Sequence, residues 1–110
     1  MANSNVRSGE VVGVAVKNNA LEDLGEVAEM VIDKLSGKVT YLVLDFGGFM
    51  NFGNKYFAIP WNAFTYNPDE DCFILNIDKE RLENSPGFDK DHWPDFSPEM
   101  NRTISDYYGL

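Results

Sequence analysis

The stretch VTYLVLDFGGFMNFGNKYFAIPW, Val39 to Trp61, decides the fold. Two apolar runs flank a loop that holds three glycines and three further apolar side chains, the pattern of two paired strands and their connection. In the first run Thr40, Leu42, Leu44 and Phe46 share one face of an extended chain, and Val39, Tyr41, Val43 and Asp45 share the other. Both faces are largely apolar, so neither suits water. A second layer must cover the outer one: a chain tail or a partner subunit. Val39, Tyr41 and Val43 are therefore candidate outer-face contacts. In the second run Phe57, Ile59 and Trp61 face together, and Pro60 places the end of the strand at an edge or corner, because proline cannot donate to a central ladder.

Working outward, the preceding residues read as strands that pair with this unit. Val11 to Val16 alternates with Val12, Val14 and Val16 on one face, behind a polar leader over residues 1–9. Glu26 to Asp33 gives a second strand with Ala28, Met30 and Ile32 as its apolar face; a helix from Glu22 to Leu35 competes with it. Asp33-Lys34-Leu35-Ser36-Gly37 has the chemistry of a hairpin connection. Beyond Trp61, Phe64 to Tyr66 and Cys72 to Ile77 flank a turn, Asn67 to Asp71, with Phe73, Leu75 and Ile77 directed inward. Asp78 opens a short helix from Lys79 to about Asn84, and Ser97-Pro98-Glu99 opens another that runs to Tyr107 or Tyr108. Short strands at regular spacing with little helix predict a small β-barrel or sandwich.

Composition narrows the function classes. A chain of 110 residues with 44% hydrophobic content suits one domain that buries roughly two-thirds of its unfolded surface. A formal charge of −9 opposes phosphate backbones, so nucleic acid is not an expected partner. No apolar run approaches the ~20 residues of a membrane-spanning helix, and the first residues lack the apolar core of a signal peptide. Cys72, the one cysteine, cannot form an internal disulfide. These features together predict a soluble, cytoplasmic protein.

The order DLGEVAEMVID, GKVTYLVLDFGGF, KYFAIPWNAF and ILNIDKERLENSP resembles the PRC-barrel domain, found in the cytoplasmic part of the photosynthetic reaction-centre H subunit and in a ribosome maturation factor. The most specific pieces are Tyr41 to Phe46 leading into Gly47-Gly48, and Ile59-Pro60-Trp61. The resemblance implies a mainly β fold: a small six-stranded barrel over residues 10–86, with a short C-terminal helical extension over 87–110 that packs on the barrel or on a neighbouring subunit. It also implies protein contact and assembly, and no characteristic catalytic residues. Neither photosynthetic nor ribosomal work carries over, since this chain has no membrane-spanning helix and no additional domain before the barrel.

Three motifs invite a functional reading. Gly48, Gly53 and Lys55 echo a phosphate-binding loop, but Asn54 intervenes before the lysine and a strand follows where a helix is needed. Phe49, Met50 and Phe52 form a candidate interaction loop that either plugs the barrel mouth or meets a partner. Asp89, Asp91, His92 and Asp95 form the one cluster with metal-site character, although their spacing matches neither an EF-hand loop nor a helical His pair. Cys72 beside Asp71 reads as structural, and no motif pairs His92 with a nucleophile. The expectation is a non-enzymatic module, without cofactor, that binds a protein partner or assembles into a homo-oligomer, its apolar surface giving the contact core and its acidic rim selecting basic or neutral partners. A small-ligand or divalent-metal-binding barrel is the alternative.

Overall fold

A computed structural model describes residues 5–46, 55–85, 87–89 and 91–109. The chain passes through a helical turn α1 (Ser8–Val11), strands β1 (Ala15–Lys17), β2 (Asp23–Ile32), β3 (Val39–Phe46) and β4 (Lys55–Pro60), and a 3₁₀ turn (Trp61–Ala63). Strands β5 (Phe64–Asn67) and β6 (Cys72–Leu75) and helices α2 (Lys79–Glu83) and α3 (Pro98–Tyr108) follow. The strands form one sheet in the order β4-β3-β2-β1-β6-β5. Its two edges, β4 and β5, are consecutive in the chain and joined by only the three residues of the 3₁₀ turn. So short a link forces the edges towards each other, and the sheet curls into a half-barrel.

Side chains fill the concave face. Val16, Leu24, Val27, Leu42, Leu44, Phe57 and Ile59 are buried there, with Phe46, Phe73, Leu75 and Ile77 packed beside them. Each fully buried large side chain contributes about 1.5–3 kcal/mol of burial free energy. Leu82 of α2 closes one end of this core.

The β2 face differs from simple alternation. Its inward residues are Leu24, Val27 and Met30, three apart, and Ile32 is exposed. The cause is irregular pairing: Val16 stands opposite Gly25 and Lys17 opposite Asp23, while Val27 stands opposite Leu44 and Glu29 opposite Val43. Leu24 and Ala28 are the extra residues, and each bulge flips the strand's faces. Gly25 makes this geometry feasible. At φ +131°, a Cβ there would lie 2.0 Å from the carbonyl oxygen of Asp45.

The first strand is also shorter than the alternation of Val12, Val14 and Val16 predicts. Ser8–Val11 coils into a turn that buries Val11, and Gly13 at φ +91° then redirects the chain. Its N–H donates to the Val27 carbonyl at 2.7 Å, and Val27 N–H donates to the Val14 carbonyl at 2.9 Å, so pairing with β2 begins there. Val12 is left 45% exposed.

The tail lies over the convex side of β3 and β4. Phe88 exchanges backbone hydrogen bonds with Tyr56 at 2.8 and 2.9 Å, which partners the free edge of β4. Phe88, Trp93 and Tyr56 stack at centroid distances of 4.8–5.9 Å. The Ser97 hydroxyl accepts from Met100 N–H at 3.2 Å and Pro98 occupies the first turn, so α3 starts where its capping chemistry dictates. Ile104 then packs with Tyr41 and Ala58 in a second, smaller core that also takes in Val31, Phe96 and Met100.

Candidate functional site

Where the β2–β3 hairpin, the 3₁₀ turn and the tail meet, they leave an open groove of about 1050 Å³. Each wall has a local cause. Pro60 ends β4, and the 3₁₀ turn rotates Trp61 out of the strand's alternation, so it does not join Phe57 and Ile59 inside. One side of its ring rests on Phe73 at 6.0 Å, and Trp61 remains 39% exposed. A further irregularity between Val31 and Ile32, where Thr40 is the extra residue on β3, leaves Ile32 at the groove, 51% exposed. Val39, Pro60 and Phe96 extend the apolar lining. Thr40, Asn62, Asn101 and Ser105 supply hydrogen-bonding groups.

The hairpin tip projects beside this groove. Asp33 N–H donates to the Lys38 carbonyl at 2.8 Å, and the Asp33 carboxylate accepts from Leu35 N–H at 2.9 Å. That N–H bond, reinforced by Ser36 and only partly opposed by desolvation, holds the Asp33 carboxyl below its ordinary pKa. The turn so fixed leaves Leu35 93% exposed. On the opposite wall the Asp95 carboxylate accepts from Ser97 N–H at 2.9 Å. Tyr41 reaches through to donate its hydroxyl hydrogen to Asn101 Oδ1, and burial raises its phenol pKa. The groove lining contains neither histidine nor cysteine and so no nucleophile–base pair of the Ser-His or Cys-His kind.

The residues singled out from sequence fall in different places. Tyr41 is buried to 5% exposure beneath the chain's own tail and Val43 is fully buried, while Val39 packs at the margin of the main core and lines the groove. Phe49, Met50 and Phe52 lie outside the described residues. Of the acidic cluster, Asp89 and His92 pair at 2.7 Å, Asp91 gives its N–H to Asp89 at 2.9 Å, and Asp95 is engaged at Ser97. The pairing raises the His92 pKa and lowers that of Asp89. Among the described residues, no three His, Cys, Asp or Glu side chains assemble to hold a metal ion. Cys72 is buried.

Sequence reasoning missed Trp61, Ile32 and Leu35 as surface residues. Strand alternation placed Trp61 and Ile32 on inward faces, which a corner and the irregular pairing between Val31 and Ile32 undo. Leu35 had a visible signal, since a leucine at the centre of the polar turn Asp33-Lys34-Leu35-Ser36-Gly37 has no core to enter.

Among the described residues, no helix is long and apolar enough to cross a membrane. No curated protein matches the chain. The family model for the PRC-barrel domain matches residues 4–82, and such domains are generally non-catalytic modules. The match spans every strand of the half-barrel and the start of α2, and with the sheet described above it shows that this chain belongs to the PRC-barrel family.

Proposed function

We propose that this protein is a non-enzymatic docking module, and that a segment of another protein chain seats in the groove between the β2–β3 hairpin and the C-terminal helix. The observation that carries the reading is the exposure of Trp61 and Ile32 on the lining of one concavity, with Leu35 exposed at the neighbouring hairpin tip. The tail covers apolar surface on the neighbouring stretch of sheet, yet these three side chains remain open to solvent. A tryptophan with one side braced on Phe73 and the other free has the properties of an interface anchor: large area, little rotamer entropy to lose, and a polar N–H. The partner is a different protein, because a second copy would bring together two chains of formal charge −9.

The test is a photo-crosslinking amino acid placed at Ser36, in the groove, or at Glu70, in the exposed β5–β6 turn, with the full-length protein expressed in its native cells. The expected result is a discrete heterologous adduct from Ser36 that is absent from Glu70 and lost when Trp61→Ala is added. Identical adduct patterns from the two positions, or a Ser36 adduct indifferent to Trp61→Ala, would overturn this assignment. An adduct of twice the chain mass would replace the heterologous partner with a second copy.

A further inference from the structure

The far wall of the groove does not belong to the half-barrel. Phe96, Asn101 and Ser105 come from the tail, beyond residues 4–82 of the family match, whereas Ile32 and Trp61 belong to the matched unit. The concavity therefore exists only while the tail lies on the sheet. Some of what fastens the tail faces the groove: the Tyr41 hydroxyl donates to Asn101 Oδ1, and the Tyr41 ring lies 5.5 Å from that of Phe96. The rest lies elsewhere. Ile104 packs on Tyr41 and Ala58, and Arg81 and Tyr107 join α2 to the last turn of α3. Ile104, Arg81 and Tyr107 take no part in the groove lining.

Detached from the sheet, α3 would not remain a helix. It has 11 residues, a length that is marginal for an isolated helix in water, and Asn101, Thr103 and Ser105 in its interior are weak helix formers. Its apolar face of Met100, Ile104 and Tyr108 holds it helical by packing on Tyr41 and Ala58. Ordering and docking of this segment are one event. The tail thus has two arrangements, docked helix and detached coil, and the groove has both walls in the first alone.

We infer that docking of the tail controls the groove: the partner segment binds the tail-docked form, and its binding in turn protects α3 from opening. The inference rests on the docking reading above and adds the regulation of that site. A segment seated against both walls has a higher affinity for the form that possesses both, so by linkage it shifts the tail towards the sheet by the same free energy that the docked tail adds to binding. Apparent affinity then scales with the fraction of molecules whose tail is docked. A change at Ile104 or Arg81, outside the groove, reaches the binding site through that fraction.

The experiment places the photo-crosslinking amino acid at Ser36 of the full-length chain in its native cells and reads adduct yield beside hydrogen exchange of the same purified variants. Arg81→Ala, Ile104→Ala and Ile104→Asp loosen the tail from outside the groove, and Trp61→Ala alters the groove itself. The heterologous adduct is expected to fall in step with α3 protection, by about tenfold or more where a tenth of the molecules or fewer keep the tail docked, while exchange in β2 and β3 stays at the wild-type rate. Trp61→Ala is expected to abolish the adduct with α3 protection unchanged. Should Ile104→Asp also open β2 and β3, Arg81→Ala and Ile104→Ala carry the comparison. A wild-type adduct yield in a variant whose α3 exchanges freely, or loss of the adduct in a tail variant whose α3 stays protected, would overturn the inference and leave the docking reading intact. An adduct indifferent to Trp61→Ala would overturn both.

Discussion

Arg81 and Tyr107 hold each other at both ends. The Arg81 guanidinium donates to the Tyr107 carbonyl at 2.6 Å, the Tyr107 hydroxyl donates to the Arg81 carbonyl, and the guanidinium lies 5.4 Å from the centre of the Tyr107 ring. One residue belongs to α2, at the edge of the family match, and the other to the last turn of α3. They form a clasp between half-barrel and tail. The clasp adds to the packing of Ile104, Met100 and Tyr108 in fastening the helix to the half-barrel. Arg81→Ala is expected to cost about 1 kcal/mol of local stability and to speed amide exchange in α3 several-fold while leaving β2 and β3 unchanged, as read by hydrogen-exchange mass spectrometry.

Gly25→Ala is expected to be among the most damaging single-methyl additions to the sheet. The new Cβ would meet Asp45 backbone, which cannot swing aside, and φ +131° disfavours any side chain. A loss of about 3 kcal/mol or more in urea denaturation is expected. Gly37→Ala, in the hairpin turn, has no neighbour within 4 Å and is expected to cost less.

Tyr108 sets an alkaline limit. It packs against both cores, and burial pushes its phenol up to about 12, with Ser85 acting weakly in the other direction. Between the ordinary value of 10.0 and about 12, the unfolded chain has released a proton that the folded chain retains, so stability falls as pH rises through that interval. The loss is about 3 kcal/mol at completion. Tyr108→Phe should shrink this limb in a plot of melting temperature against pH, leaving the part that Tyr41 contributes.

The Asp89–His92 pair predicts a titration rather than a large energy. Its hydrogen bond raises the His92 pKa above the ordinary 6.5 and lowers that of Asp89 below 3.8. The pair's contribution is complete between those ordinary values. It is lost upward as pH passes the raised His92 value and downward as pH passes the lowered Asp89 value. Because His92 is the sole histidine, its ring signals in an NMR titration are unambiguous. The midpoint should lie above 6.5 in the wild type and drop in Asp89→Asn.

The legible part of the fold is where one local rule acts alone. The two apolar faces of Val39–Phe46 called for a covering layer, and the tail packs over Tyr41. Ser97-Pro98 marked the start of α3. Illegible were features that arise between segments. Ala28 becomes an extra residue only because Leu44 and Val43 fix the register opposite it, and Gly25 gains its purpose from the close approach of Asp45. The groove suffered most from this, since Ile32 and Trp61 reach it through a bulge and a corner that alternation does not encode.

The parallel pairing of β1 with β6 sets Ala15 opposite Cys72 and Val16 opposite Phe73. The other strand pairings join consecutive segments, β1 with β2, β2 with β3, β3 with β4, and β5 with β6, and each of these can form from nearby chain. The β1–β6 seam has to wait. During synthesis Leu75 must leave the ribosome before β1 acquires its second neighbour, so closure of the half-barrel is a late event and the seam is the natural place for the rate-limiting barrier. Until then the inward side chains of β2 and β3 stand open to other nascent chains. A slow seam makes the same apolar strip that stabilises the finished protein its main aggregation hazard during biogenesis.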